Sequence, residues 1–91
     1  METSSEQKQI KYYESLLPQI DECKEIINNS SDAQAVKENL DKLLAIMDEI
    51  IDASEELLNK AGMTNRTMQS QKEKVLSNYD ILIKQAEESD S

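Results

Sequence analysis

The feature that most constrains this chain is an apolar stripe in its middle third. Apolar side chains recur there at alternating steps of four and three, interrupted only by Ser54; they are Val36, Leu40, Leu43, Met47, Ile50, Leu57 and Ala61. This spacing places them on one broad face of an α-helix, which is typical of a helix that packs against two neighbours. We therefore predict one long helix over residues 32–61, with Ser31 as N-cap and Gly62 as the C-terminal stop. Four residues of the stripe are predicted to be fully buried: Leu43, Met47, Ile50 and Leu57.

The rest of the chain fits an all-helical interpretation. Glycine and proline occur once each, and β-branched residues form no alternating runs, which argues against a sheet. Helical spacing predicts a first helix over about 5–28, kinked near Pro18, and a third over about 65–87. Because the connections are short, neighbouring helices should be antiparallel. The prediction is an all-α, up-down-up antiparallel three-helix bundle, a single domain of residues 1–91 with frayed acidic termini.

Charge and composition argue against several classes of function. A net charge of −9 repels the phosphate backbone, so we expect no nucleic-acid partner. With no histidine, no glycine-rich phosphate loop and a single cysteine, Cys23, we expect no enzyme activity, no metal site and no cofactor. No apolar run approaches the length of a membrane span, and the polar start lacks the apolar core of a secretory signal. The expected location is therefore intracellular, in the cytoplasm, with the nucleus as an alternative.

Six carboxylates share the face of the predicted central helix that lies opposite the apolar stripe. We call them the acidic strip: Asp41, Asp48, Glu49, Asp52, Glu55 and Glu56. One interpretation is a solvated face that keeps the protein soluble. The other is a docking strip for a basic partner through Asp48, Asp52 and Glu56, since complementary charge speeds and orients association.

Helical spacing gives the first helix an apolar stripe that should face the core, interrupted by Lys24: Ile10, Tyr13, Leu17, Ile20 and Ile27. Four further residues extend the apolar face of this helix beyond that stripe. We call them the ridge: Tyr12, Leu16, Cys23 and Ile26. The ridge either tucks against the bundle or forms a contact surface for another helix, in a complex or a homo-oligomer. Taken alone, Cys23 is better explained as a small core residue than as a reactive thiol.

The start of the predicted third helix is strongly polar and includes Arg66 and Lys72. Ion pairs with Glu55 and Glu56 would explain this composition within the bundle. The alternative is a polar groove between the second and third helices that binds a partner.

The layout is similar to two families of three-helix bundle. The segment YESLLPQIDECKEII, followed by a long acidic helix, resembles the N-terminal regulatory domain of vesicle-fusion SNAREs. The intervals between Asp52, Arg66 and Lys74 resemble the BAG domain, although Lys74 stands where that family has a polar amide. The second resemblance implies binding to the nucleotide-binding domain of a heat-shock chaperone through the second and third helices.

We therefore expect a non-catalytic protein–protein interaction module whose partner presents a basic or helical surface. It would serve as an assembly subunit or as the N-terminal regulatory domain of a trafficking or scaffold protein. Two alternatives stay open at this point. One is a chaperone cofactor that acts through the second and third helices, and the other is an acidic mimic of nucleic acid.

Overall fold

The structure, a computed structural model, describes the backbone of residues 4–90 and the side chains of residues 4–88. Its four helices are α1 (Ser4–Asn29), α2 (Ala33–Ile51), α3 (Glu55–Lys60) and α4 (Asn65–Asp90). The all-helical prediction is confirmed, since the described residues form no strand. The predicted frayed ends are helical as far as they are described, and residues 1–3 and 91 lie outside that part of the chain. Pro18 lies inside α1, and a kink there stays a prediction.

The N-terminus of α2 is capped one residue later than predicted. Asp32, not Ser31, is the N-cap, because its backbone is extended and its carboxylate accepts a hydrogen bond from the Gln34 amide at 3.0 Å. The central residues of the stripe behave as predicted. Leu43, Met47 and Ile50 are at most 1% exposed, so the buried face of α2 is confirmed.

The predicted helix over 32–61 is wrong, because the chain leaves the helical path at residues 52–54. α2 ends at Ile51 and α3 begins at Glu55, with Ser54 as an extended N-cap between them. The side-chain amide of Asn65 donates to the Ile51 carbonyl at 2.5 Å, so it satisfies an acceptor exposed by the break. The break also changes which leucine points inward. Leu58 is completely buried and Leu57 only partly, contrary to the prediction.

Gly62 ends α3 as the sequence predicts. Its φ of +81° lies in the left-handed region, which glycine adopts without a steric penalty. The Gly62 amide bonds to the Asn59 carbonyl at 3.1 Å, and the Met63 amide bonds to the Leu58 carbonyl at 2.7 Å. This pair of bonds is the Schellman motif, and the buried side chains of Leu58 and Met63 provide its usual apolar partners.

α2 lies at the centre and packs against both α1 and α4. The start of α1 also packs against α3, where Glu6 pairs with Lys60. Along α4, Lys72 contacts Asp48 and Tyr79 contacts Asp41, so α4 runs antiparallel to α2. α1 and α4 approach each other much less closely than either approaches α2. The result is an elongated molecule with Cα extents of 57 × 20 × 15 Å.

Candidate protein-interaction surfaces

The ridge predicted on the first helix is not a continuous surface. Leu16 and Cys23 belong to the core, at 3% and 1% exposure, whereas Tyr12 and Ile26 are exposed. Leu17, which the sequence pattern places in the core, is 36% exposed instead. α1 is therefore rotated about its axis relative to the prediction, so that Leu16 and Cys23 face the core. Burial also raises the pKa of the Cys23 thiol, as expected for a core cysteine.

Tyr12 joins α1 to α2. Its hydroxyl donates a hydrogen bond to the carboxylate of Glu49, and this bond raises the pKa of Tyr12. The rings of Tyr12 and Tyr13 meet edge to face, with centroids 5.4 Å apart. Tyr12 is 45% exposed, so it remains accessible as a contact residue while its hydrogen bond links α1 to α2.

The acidic strip is interrupted and largely engaged within the molecule. Asp48 pairs with Lys72 of α4, and Asp41 accepts a hydrogen bond from the Tyr79 hydroxyl at 2.6 Å, which raises the pKa of Tyr79. Because the helix breaks after Ile51, Asp52 and Glu56 do not lie on one helix with Asp48. Three of the six carboxylates, Asp41, Asp48 and Glu49, therefore accept hydrogen bonds from a neighbouring helix. No group of described residues has the composition of a metal site.

Asp52 and Glu56 are both exposed. Glu56 lies 3.8 Å from the ammonium group of Lys60 in the same helix, a solvated pair of small energetic value. A docking role for these two carboxylates stays a prediction.

The polar start of α4 makes internal contacts, but not those predicted. Lys72 pairs with Asp48 rather than with Glu55 or Glu56, and Arg66 is exposed. A shallow cleft of about 360 Å³ lies between α2 and α4. Its lining is Ile51, Gln69, Lys72, Glu73 and Leu76. Leu76 is 52% exposed beside charged neighbours, so this cleft is an open depression. A partner-binding groove between these helices stays a prediction.

A second cleft, which the sequence pattern does not predict, separates α1 from α4. It has a volume of about 220 Å³ and is lined by Lys24, Ile27, Asn28, Leu40, Leu43, Val75 and Leu82. A smaller hollow of about 150 Å³ adjoins it beside Gln85 and Ala86. Val75 and Leu82 belong to the apolar face of α4, yet they are only partly buried because α1 does not close over them. The one signal of this gap in the sequence is Lys24, a charge within the apolar face of α1.

Lys24 and Asn28 of α1 line this α1/α4 cleft, Gln85 of α4 lines the adjoining hollow, and Gln71 of α4 contacts Lys24. Helical steps of three and four extend each of these two rows along its helix. We call the first row the α1 lip, which is Glu14, Leu17, Asp21, Lys24 and Asn28, and the second row the α4 lip, which is Gln71, Lys74, Asn78, Ile81 and Gln85. Lys24 reaches across the cleft, with its ammonium group 3.5 Å from the side-chain oxygen of Gln71. Leu17 and Ile81, 36% and 53% exposed, add apolar surface to the two lips.

The helices of the described chain do not combine the length and apolar character that a bilayer crossing requires. Comparison of the chain with protein-family models, with curated proteins and with solved structures gives no match.

Proposed function

We propose that the chain is a non-catalytic protein-interaction module that receives a helical surface in the α1/α4 cleft. The observation that carries this proposal is the apolar cleft itself, in which Val75 and Leu82 remain partly open to solvent above a floor of Leu40 and Leu43. Apolar grooves between helices are a recurrent docking site for amphipathic helices. In this proposal α1, α2 with α3, and α4 act as an antiparallel up-down-up three-helix unit.

The dimensions of the cleft suit a helix. The α4 residues that line the cleft and the adjoining hollow run from Val75 to Ala86, a rise of about 17 Å along the helix, or roughly three turns. Three turns present two or three apolar side chains on one face, enough to cover the exposed parts of Val75 and Leu82. The partner therefore binds chiefly by burying apolar surface, with the polar lips setting its position.

The chemistry of the described side chains supports a role in binding rather than catalysis. The hydroxyl pKa values of Tyr12 and Tyr79 and the thiol pKa of Cys23 are raised, which keeps these groups neutral and poorly nucleophilic. A nucleophile that reacts as its anion needs the opposite shift. The buried side-chain polar atoms that the structure describes all have hydrogen-bond partners, so none of them is left unpaired to bind a substrate.

At the level of biological role, we propose an intracellular assembly subunit or an N-terminal regulatory domain of a trafficking or scaffold protein. The support is the resemblance of YESLLPQIDECKEII to the regulatory domain of vesicle-fusion SNAREs, together with a cleft that fits a helix. A helical segment of another protein would occupy the cleft in that role.

A second candidate is a chaperone cofactor that acts through the α2/α4 cleft. The specific observation in its favour is Leu76, an exposed leucine beside Lys72 and Glu73 at the edge of that cleft. A partner there would meet a mixed apolar and charged surface instead of an apolar groove.

A matched pair of variants tests the two clefts. Ile81 and Leu76 lie on the same helix at nearly equal exposure, 53% and 52%. Leu76 lines the α2/α4 cleft, whereas helical register places Ile81 on the α4 lip of the α1/α4 cleft. Ile81→Glu should abolish capture of partner proteins from a cell extract, whereas Leu76→Glu should leave the captured set unchanged. Far-UV circular dichroism establishes that both variants remain helical. If Leu76→Glu alone removes the captured proteins, the α2/α4 candidate replaces the proposal. If neither substitution changes the captured set, both candidates are refuted.

A further inference from the structure

Resting on the proposed function, we infer that the occupant of the α1/α4 cleft is a second copy of this chain. In this arrangement the α1 lip of one copy lies against the α4 lip of the other, and the two-fold axis repeats the contact. Such an isologous interface requires a surface that is complementary to itself. The charges, the position of the acidic residues and the size of the face each meet that requirement.

The two lips carry net charges of opposite sign. The α1 lip carries Glu14, Asp21 and Lys24, a net charge of −1, and the α4 lip carries Lys74, a net charge of +1. Lys24 hydrogen-bonds to Gln71 of its own chain, whereas Glu14, Asp21 and Lys74 form no ion pair with the described residues. Across a two-fold axis, Asp21 of each copy faces the α4 lip that carries Lys74 of the other. The same pairing therefore occurs twice.

The acidic residues lie where they do not oppose this pairing. Residues 32–61, which form α2 and α3, carry eight carboxylates and three lysines, a net charge of −5 out of the total of −9. All six residues of the acidic strip are exposed, and none of them lines the α1/α4 cleft, where α2 contributes Leu40 and Leu43. The molecule is 15 Å thick between Cα positions, which exceeds the Debye length of about 8 Å at physiological ionic strength. Repulsion between the acidic sides of two copies is therefore largely screened.

The size of the face favours a second copy over a single foreign helix. α1 and α4 have 26 residues each, so each is about 39 Å long, and side by side at about 10 Å width they present a face of about 780 Å², close to the roughly 800 Å² per partner of a standard interface. A single helix is about 10–12 Å wide and would cover the cleft without reaching both lips. Two helices of a second copy cover Leu17 and Ile81 as well as the partly open Val75 and Leu82.

The first test is sedimentation equilibrium of the whole chain at physiological ionic strength. The wild type should form a dimer. The double variant Leu17→Glu with Ile81→Glu should raise the dissociation constant at least tenfold, because four carboxylates would enter the apolar interface. Leu76→Glu is the matched control and should dimerise as the wild type does. A wild type that is still monomeric at about 1 mM, where even millimolar affinity is evident, overturns the inference. A control that dissociates as fully as the double variant also overturns it.

The second test exchanges the charges between the lips. Asp21→Lys and Lys74→Glu should each weaken self-association, because each places like charges across both copies of the contact. A mixture of the two variants should restore dimers, since each pairing then joins opposite charges. Failure of the mixture to associate refutes the proposed pairing of the lips.

The outcomes separate this inference from the proposed function. A monomeric wild type that still captures a different protein in an Ile81-dependent manner refutes the second copy and leaves the interaction module intact. A dimer that forms through Leu76 instead refutes the role of the α1/α4 cleft in both proposals.

Discussion

Truncation of Leu58 and Leu57 to alanine tests the break between α2 and α3 directly. The two leucines are adjacent in the same short helix, so the same substitution changes helix propensity equally at both. Their burial differs, because Leu58 is 0% exposed and Leu57 is only partly buried. A continuous helix through residue 54 would give the opposite order, since Leu57 then continues the apolar stripe of Leu43, Met47 and Ile50.

The expected magnitudes follow from that burial. Leu58→Ala removes a fully enclosed side chain and should cost roughly 3–5 kcal/mol, from lost transfer energy and the cavity left behind. Leu57→Ala removes a side chain that already contacts water and should cost about 1–2 kcal/mol. A chain of 91 residues has a total stability of roughly 5–14 kcal/mol, so the first substitution removes a large part of it.

Urea unfolding followed by far-UV circular dichroism measures both losses. If the free energy of unfolding falls with urea concentration at the same slope in both variants, their midpoints give the difference between their free energies of unfolding. In a thermal scan Leu58→Ala should lower the melting temperature by about 15–30 °C, and Leu57→Ala by clearly less. Equal losses, or a larger loss for Leu57→Ala, would refute the inward position of Leu58 and with it the break after Ile51.

Two further predictions concern contacts between helices. The double variant Tyr12→Phe with Tyr79→Phe should flatten the alkaline loss of stability. Both hydroxyl pKa values are raised in the folded chain, so the protonated hydroxyls of Tyr12 and Tyr79 stabilise the fold. This stabilisation is complete below about pH 10 and is lost as the pH rises through the folded pKa. Urea midpoints at pH 8 and above pH 10 measure it, and identical pH profiles for wild type and variant would contradict it. Asn65→Ala should cost about 1 kcal/mol, because the Ile51 carbonyl loses its side-chain donor. A thermal scan unchanged by Asn65→Ala would show that this bond does not stabilise the break.

Local patterns in the sequence determined the helical class and much of α2. The alternation of three and four residues fixes which side chains share a face, and this depends only on the geometry of one helix. Leu43, Met47 and Ile50 are therefore buried as predicted. Gly62 also behaves as predicted, because a left-handed residue that closes a helix is a local requirement. The ends of the helices were predicted to within a few residues where such local signals exist.

Tertiary packing decided the features that define the candidate site. The rotation of α1 about its own axis decides whether Leu17 or Leu16 is buried. The apolar face of α1 is broad enough to allow either. Contact with α2 selects Leu16 and Cys23 and leaves Leu17 on the lip of the cleft. The break after Ile51 is likewise set by long-range groups, since it places Leu58 in the core and brings Asn65 to the end of α2. The cleft exists because α1 and α4 both pack on α2 and not closely on each other, an outcome of three helices packing together that no single helical pattern specifies.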